Sequence, residues 1–159
     1  MVPLVKGFST EMSLEVTSLG VQVHGGMGFI EETGAAQYYR DAKILTIYEG
    51  TTAIQANDLV GRKTARDGAQ QALSLASQIA QTESALRASG TDDAQVMADA
   101  LQQSREAFEE AARFIASNAS TDPNAAFAGS VPYLMLTGMV MAGWQMARAL
   151  LVAEDRLAA

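Results

Sequence analysis

The chain has 159 residues, 48% of them hydrophobic, and its 11 Lys and Arg residues face 18 Asp and Glu residues, for a net charge of −7. This length and composition suit one folded domain or two small helical units, and they argue against disorder. Binding to nucleic acid depends on Lys and Arg side chains that displace counterions from the phosphates. Because this chain is acidic, we expect no nucleic-acid partner. With no cysteine and one histidine, disulfides and thiolate or histidine-rich metal sites are excluded, and we expect a reducing compartment, the cytoplasm.

The first predicted element is a helix over residues 9–23. Four apolar residues share one face of this helix at helical spacing: Met12, Val16, Leu19 and Val23. The helix should end at Gly25-Gly26, because glycine tolerates the left-handed backbone that ends helices. The glycines up to Gly28 either let the backbone approach a ligand or form a plain turn. They do not form the dinucleotide fingerprint, because its third glycine would fall at Glu31.

A short helix is predicted next, over residues 36–43. It carries Arg40 beside Asp41, and this pair is either a surface ion pair of little energetic value or a buried brace for the loop that follows. We favour the brace. The mostly apolar stretch 44–48 is either a buried extended segment or the end of the same helix.

The next helix is predicted to begin after Glu49-Gly50, since Thr52 and Gln55 match a capping box with Thr52 as the N-cap. It should run to about Arg66. This places Glu49 on a loop before a helix N-terminus, where backbone amides can hold an anion or a polarised carbonyl oxygen. A lone glutamate in a loop is ordinarily just solvated, so the residues alone leave its role open.

Three further helices are predicted after Gly68, and we expect them to form a small antiparallel bundle. Gly90 should end the first, Thr91 should cap the second, and Asp122-Pro123 should begin the third. This half of the chain carries no recognisable chemistry.

The last predicted helix also raises the question of a membrane span. The stretch 123–147 holds no charged residue and is long enough to cross a bilayer. Its polar residues and the lack of a flanking Lys or Arg cluster favour a helix buried in a protein core, and so no membrane partner. We expect its four methionines to belong to that core: Met135, Met139, Met141 and Met146.

Three motifs of the first half, in order and in register, resemble the C-terminal region of the flavin-dependent acyl-CoA dehydrogenases. They are QVHGGMGF over residues 22–29, YRDAKI over 39–44 and IYEGT over 47–51. The resemblance covers residues 3–66 densely. Residues 69–159 resemble the extra helical domain of a longer branch of that family, which includes enzymes that act on 3-methylmercaptopropionyl-CoA.

The resemblance implies an all-α fold. Residues 1–68 would form part of the dehydrogenase helical domain with its catalytic loop, and residues 69–159 would form the additional helical bundle. Family members also have an N-terminal helical domain, a middle β-domain and two helices ahead of residue 3. The chain therefore resembles a C-terminal fragment of such an enzyme, in which a further helix after Leu157 is expected.

The resemblance also implies the chemistry of the second loop. Glu49 corresponds to the general base that removes the α-proton of an acyl-CoA thioester while the β-hydride passes to N5 of FAD. Burial against the acyl chain and the flavin makes a carboxylate a stronger base, as this reaction requires. Gly50 would lie against the thioester carbonyl together with the Glu49 backbone.

Contacts to the cofactor follow from the same resemblance. Gln22, Gly25 and Gly26 would touch the ADP part of an FAD held mainly by a neighbouring subunit, and Thr51 would lie beside the FAD. The resemblance further implies an electron-transfer flavoprotein as the acceptor and a homo-oligomeric assembly. No metal site is expected.

A rival interpretation comes from a different class of protein. The chain would then be a non-catalytic helical module that folds, associates with itself through the methionine-rich helix and binds no flavin. On either interpretation we expect the isolated chain not to bind FAD, because the residues that supply most flavin contacts in the family lie in the domains absent from this sequence.

Overall fold

The computed structural model describes residues 2–158, with side chains up to Leu157. It contains eight α-helices: α1 Ser9–Val23, α2 Gly26–Phe29, α3 Ala35–Leu45, α4 Thr52–Asp58, α5 Gln70–Ser89, α6 Asp92–Asn118, α7 Pro123–Ala128 and α8 Ser130–Ala158. π-Helical turns over Leu4–Phe8 and Leu59–Ala65 extend α1 and α4, and a 3₁₀ turn spans Glu31–Thr33. The described residues contain no strand, so the predicted all-α fold is confirmed.

Helices α5, α6 and α8 pack side by side with alternating direction. Arg105 of α6 makes a largely buried ion pair with Glu83 of α5, with 2.7 Å between Nε and Oε1. This hydrogen bond, more than the opposing effect of burial, raises the pKa of the Arg105 guanidinium. Each helix turns one apolar face toward the other two, and the residues of that face recur at helical spacing. The space between the helices is filled by Ile79, Leu86, Leu101, Phe108, Ile115, Leu134 and Val140.

The predicted helix ends of this bundle are largely confirmed. Thr91 Oγ1 accepts a hydrogen bond from the Ala94 amide at 3.2 Å, and Asp122 Oδ1 accepts one from the Ala125 amide at 3.1 Å. The predicted single third helix is wrong, however, because the chain breaks at Gly129 into α7 and α8. Pro132 fits directly after the break, since proline is tolerated in the first turn of a helix, where its missing amide has no partner to lose.

The start of the chain is joined to the bundle through α8. A Cβ atom at Gly138 would lie 2.2 Å from the ring of Phe8, so only glycine allows this approach. Leu4, Leu59 and Val60 are buried in the same core as the bundle residues. The turn before α1 and the end of the α4 segment thus share one core with the bundle.

The α1–α3 region has little buried surface. Helix α1 contains no buried residue and α3 buries only Ala42. The helix predicted over residues 9–23 is confirmed, but three residues of its predicted apolar face, Val16, Leu19 and Val23, are exposed. Helix α1 packs against α3, α2 and the turn Leu4–Phe8, and these contacts leave Val16, Leu19 and Val23 exposed.

Helix α8 is both a core helix and an exposed one. Met141 is buried, whereas Met139 and Met146 are 64% and 63% exposed, so the prediction that all four methionines are core residues is wrong. The reason is that α8 turns one face to α5 and α6 and the other to solvent. By length and composition, Ser130–Leu157 is long and apolar enough to cross a membrane, yet its inward face packs in the bundle core.

Candidate active site

Glu49 lies in a tight turn between α3 and α4. The amide of Thr52 donates to the Thr46 carbonyl at 3.4 Å, which closes the base of the loop. Glu49 has φ 50° and Gly50 has φ 99°, so two successive residues take the left-handed conformation. That conformation is uncommon for a glutamate and disfavoured by roughly 1–2 kcal/mol. The turn directs the Glu49 side chain to solvent, where it is exposed.

Two residues that the sequence analysis missed hold this loop at its ends. Lys6 donates to the Leu45 carbonyl, and its Nζ lies 4.9 Å from the centroid of the Tyr48 ring. On the other side, Glu11 Oε1 accepts a 2.5 Å hydrogen bond from Thr52 Oγ1. These partners stand 39 and 41 residues apart along the chain, so no local sequence pattern reveals them.

The N-cap of α4 is Thr51, so the prediction of Thr52 is wrong by one residue. Thr51 has extended backbone and its Oγ1 accepts a 3.4 Å hydrogen bond from the Ile54 amide. The left-handed Gly50 turns the chain into the helix one residue early, which leaves the Thr52 hydroxyl free to reach Glu11. Glu49, Gly50 and Thr51 form one continuous exposed or half-exposed stretch at the start of α4.

The second group of predicted site residues lies at the end of α1. Gln22, Gly25 and Gly26 are all exposed, and Gly25 takes a positive φ of 60°. A Cβ atom at Gly25 or Gly26 would meet no other atom within 4 Å. The backbone here is therefore open to a molecule that approaches from outside, but this chain does not enclose such a molecule.

The structure keeps the two groups apart. Glu11, near the start of α1, is bonded to Thr52 beside the Glu49 loop, whereas Gln22 is eleven residues farther along the same helix. With a rise of 1.5 Å per residue, the two groups are separated by about 16 Å along the α1 axis. The predicted residues thus form two separate surface patches.

The predicted buried brace between Arg40 and Asp41 is wrong. Both side chains are exposed, and each bonds to Gln37 instead, through Arg40 Nη2 at 2.9 Å and Asp41 Oδ1 at 2.8 Å. Arg40 also makes a 3.4 Å ion pair with Glu31. Adjacent residues of a helix do not face each other, whereas residues three or four apart do.

Comparison with known families gives two matches that together span nearly the whole chain. Residues 69–159 match the family described as acetyl-CoA dehydrogenase C-terminal like. Residues 1–64 match the family described as acyl-CoA dehydrogenase, C-terminal domain.

Individual relatives agree with these matches. A 3-methylmercaptopropionyl-CoA dehydrogenase of Ruegeria pomeroyi is 58% identical over 158 residues, which are 99% of this chain and 27% of that protein. A broad-specificity linear acyl-CoA dehydrogenase of Mycobacterium tuberculosis is 35% identical over 169 residues, 99% of this chain and 26% of that protein. A caffeyl-CoA reductase–Etf complex subunit of Acetobacterium woodii is 40% identical over 52 residues, 33% of this chain and 14% of that subunit. The chain spans about a quarter of the length of the first two relatives.

Proposed function

The chain belongs to the acyl-CoA dehydrogenase family, and from this membership we propose that it is the C-terminal part of an FAD-dependent enzyme that dehydrogenates an acyl-CoA thioester between its α- and β-carbons. The observation that carries the proposal is the position of Glu49, which stands on a turn of uncommon backbone conformation fixed at both ends by distant residues. Uncommon backbone conformations of this kind persist where the surroundings hold them, and they cluster at functional sites.

In this proposal Glu49 is the general base. Its carboxylate takes the α-proton of the thioester, and the left-handed turn fixes the direction from which it approaches. Gly50 has no side chain, so the backbone of the turn can lie directly against the thioester carbonyl. Lys6 and Glu11 are positioning residues, because their contacts are with residues on either side of Glu49 and not with Glu49 itself.

The residues proposed to contact FAD lie on an open surface, so they would touch one side of the cofactor and would not enclose it. FAD, when bound, supplies the acceptor for the hydride that leaves the β-carbon. Gln22, Gly25 and Gly26 offer an exposed amide side chain and an open backbone, which suit the polar ADP part of a cofactor held by another subunit. Thr51 stands at the start of α4, beside the base.

The proposed partners follow from the same membership. The substrate is an acyl-CoA, as the names of the relatives state for those proteins, and the electron acceptor is an electron-transfer flavoprotein. The assembly is a homo-oligomer, supported by the exposed apolar face of α1, and the compartment is the cytoplasm.

The test uses a chimera. These 159 residues replace the matching C-terminal region of the Ruegeria pomeroyi relative, and the rate of flavin reduction by 3-methylmercaptopropionyl-CoA is measured by absorbance. Glu49→Gln should slow reduction by about 100-fold or more while flavin remains bound, since general-base catalysis contributes at least that factor. The matched control is Glu32→Gln, which removes an exposed carboxylate outside the loop.

Equal rates for Glu49→Gln and the control would overturn the role of Glu49. Failure of the unmutated chimera to reduce its bound flavin would instead favour the non-catalytic module. A separate titration of the isolated chain with FAD should give no binding, because this chain alone leaves Gln22, Gly25 and Gly26 on an open surface.

A further inference from the structure

A concave site lies where the two matched regions of the chain meet. Its volume is about 480 Å³, within the range of small-molecule sites. Its walls come from the π-helical turn Leu59–Ala65 and from α5, α6 and α8, and we call it the junction cavity. These walls lie outside the motifs at residues 22–29 and 47–51, so the junction cavity is distinct from the proposed active site.

The floor of the junction cavity is apolar. It is formed by Leu59, Ala72, Leu75 and Phe108, side chains that offer no hydrogen bond. Phe108 is also stacked on Tyr133, with 6.2 Å between ring centroids. Leu59, Ala72 and Phe108 are already buried and Leu75 is half-buried. Contact with an alkyl chain would remove from water the apolar surface that still faces the cavity, a gain of roughly 25 cal/mol per Å².

The mouth of the junction cavity is basic, in contrast to the rest of the chain. Arg62, Lys63 and Arg66 all line it, three of the 11 Lys and Arg residues within five consecutive positions. Arg62 is paired with Asp58 at 3.1 Å, and the ion pairs of the described residues include neither Lys63 nor Arg66. Two exposed cations therefore remain to attract an anionic group.

The wall between floor and mouth contains buried polar atoms. The Tyr133 hydroxyl and Thr64 Oγ1 lie 3.1 Å apart, both on buried residues. Asp67 Oδ2 accepts from the Gln71 amide at 3.0 Å, whereas Oδ1 is buried and has no hydrogen-bond partner among the described residues. A buried acceptor without a donor is costly, which indicates that an ordered water reaches this depth, since an ionised head group and an alkyl chain offer no donor.

We propose that the junction cavity binds a linear amphipathic anion, with its alkyl chain on the apolar floor and its carboxylate or phosphate head at Lys63 and Arg66. The two cations outnumber the Asp67 carboxylate at the mouth, so an anionic head is favoured over a cationic one. The site would give the enzyme a place to sense a fatty anion away from the proposed active site.

The experiment is isothermal titration of the 159-residue chain with four probes below their micelle concentrations. Decanoate and decyl phosphate share the alkyl chain and differ in the head, decyltrimethylammonium reverses the charge, and inorganic phosphate lacks the chain. We expect the two anionic amphiphiles to bind at least tenfold more tightly than either of the other two. Whichever of decanoate and decyl phosphate binds more tightly identifies the head group.

The variant that tests the mouth is Lys63→Glu/Arg66→Glu, which should weaken binding of both anions at least tenfold. Its matched control is Arg113→Glu/Arg148→Glu, which makes the same change of charge at two exposed positions outside the junction cavity. Circular dichroism is used to check that both variants are folded.

Amide chemical shifts locate the bound probe. The changes in amide chemical shift on adding decanoate should be largest at Thr64, Ala72 and Tyr133. The proposal is overturned if neither anion binds, if decyltrimethylammonium binds as tightly as decanoate, if the charge reversal at the mouth has no more effect than its control, or if the shifted amides lie elsewhere.

Discussion

The two matched regions of this chain bury their apolar residues to very different degrees. In the bundle of α5, α6 and α8, residues such as Phe108 and Leu134 are 1% and 0% exposed. In the α1–α3 region, Leu19 and Phe29 are 57% and 81% exposed. Both regions are helical and both have apolar residues at helical spacing, so local pattern does not explain the difference.

This difference in burial indicates which region supplies the stability of the molecule and which region carries its proposed function. Burial of apolar surface is the dominant favourable term in folding, so the bundle and the segments packed on it supply most of the stability. The α1–α3 region instead carries the proposed cofactor patch and leads into the Glu49 loop, and its apolar face is available for contact with another chain. Three predictions test this division.

The largest effect is expected from truncation of a bundle residue. Phe108→Ala should lower the free energy of unfolding by about 3–5 kcal/mol, because it leaves a cavity under the stacked Tyr133 ring. Urea unfolding followed by circular dichroism measures it. The matched control on the same helix is Phe114→Ala, where the ring is 50% exposed and the loss should stay below about 1 kcal/mol. Similar losses for the two variants would contradict the assignment of stability to the bundle core.

A smaller and pH-dependent effect is expected at Tyr133. Burial raises the pKa of this phenol above its ordinary value of 10.0, although the hydrogen bond between Tyr133 and Thr64 acts in the opposite direction. Since the folded state holds this proton more tightly than the unfolded state, the resulting stability is fully present below pH 10 and is lost as the pH rises through the folded pKa.

Tyr133→Phe should therefore cost about 1 kcal/mol at pH 7, through loss of the bond to Thr64, and should remove part of the alkaline fall in stability. Unfolding curves from pH 7 to pH 11 measure both effects. Tyr38→Phe is the control, because this ring is exposed. If the free energy of unfolding of Tyr133→Phe fell at alkaline pH as steeply as that of the unmutated chain, the role of the buried phenol would be refuted.

The smallest effect is expected on α1. Leu19→Ala should change the free energy of unfolding of the isolated chain by no more than about 0.5 kcal/mol, since its side chain is already exposed. Leu101→Ala in the bundle, where the leucine is 5% exposed, is the matched comparison and should cost about 2–5 kcal/mol. A large loss for Leu19→Ala in the monomeric chain would mean that α1 is buried within the chain itself. Sedimentation distinguishes this outcome from burial of α1 in the proposed homo-oligomer.

Helix ends were the most predictable part of the fold. Thr91, Asp122 and Gly90 act as predicted, because caps depend on the chemistry of a few neighbouring residues. The break at Gly129 and the shift of the N-cap from Thr52 to Thr51 were not predicted. Both depend on how the chain enters the next helix, which local propensity does not fix.

The candidate site was predictable only in part. The motifs pointed to Glu49, but nothing in them showed that Lys6 and Glu11 hold its loop, since these contacts join residues about forty positions apart. Arg40 bonds to Gln37 and not to its neighbour Asp41, because a helix brings residues three or four apart together and points adjacent side chains in different directions.

The sequence by itself determined that this protein is helical, where most of its helices begin and end, and to which family its motifs belong. These properties follow from short-range spacing and capping chemistry. Only the tertiary structure decided which apolar faces are buried, and that Met139 and Val16 lie exposed while Met141 does not. It also decided that the proposed base and the proposed cofactor patch lie at opposite ends of α1. Burial depends on which elements meet, and an amphipathic pattern is the same whether or not a partner covers it.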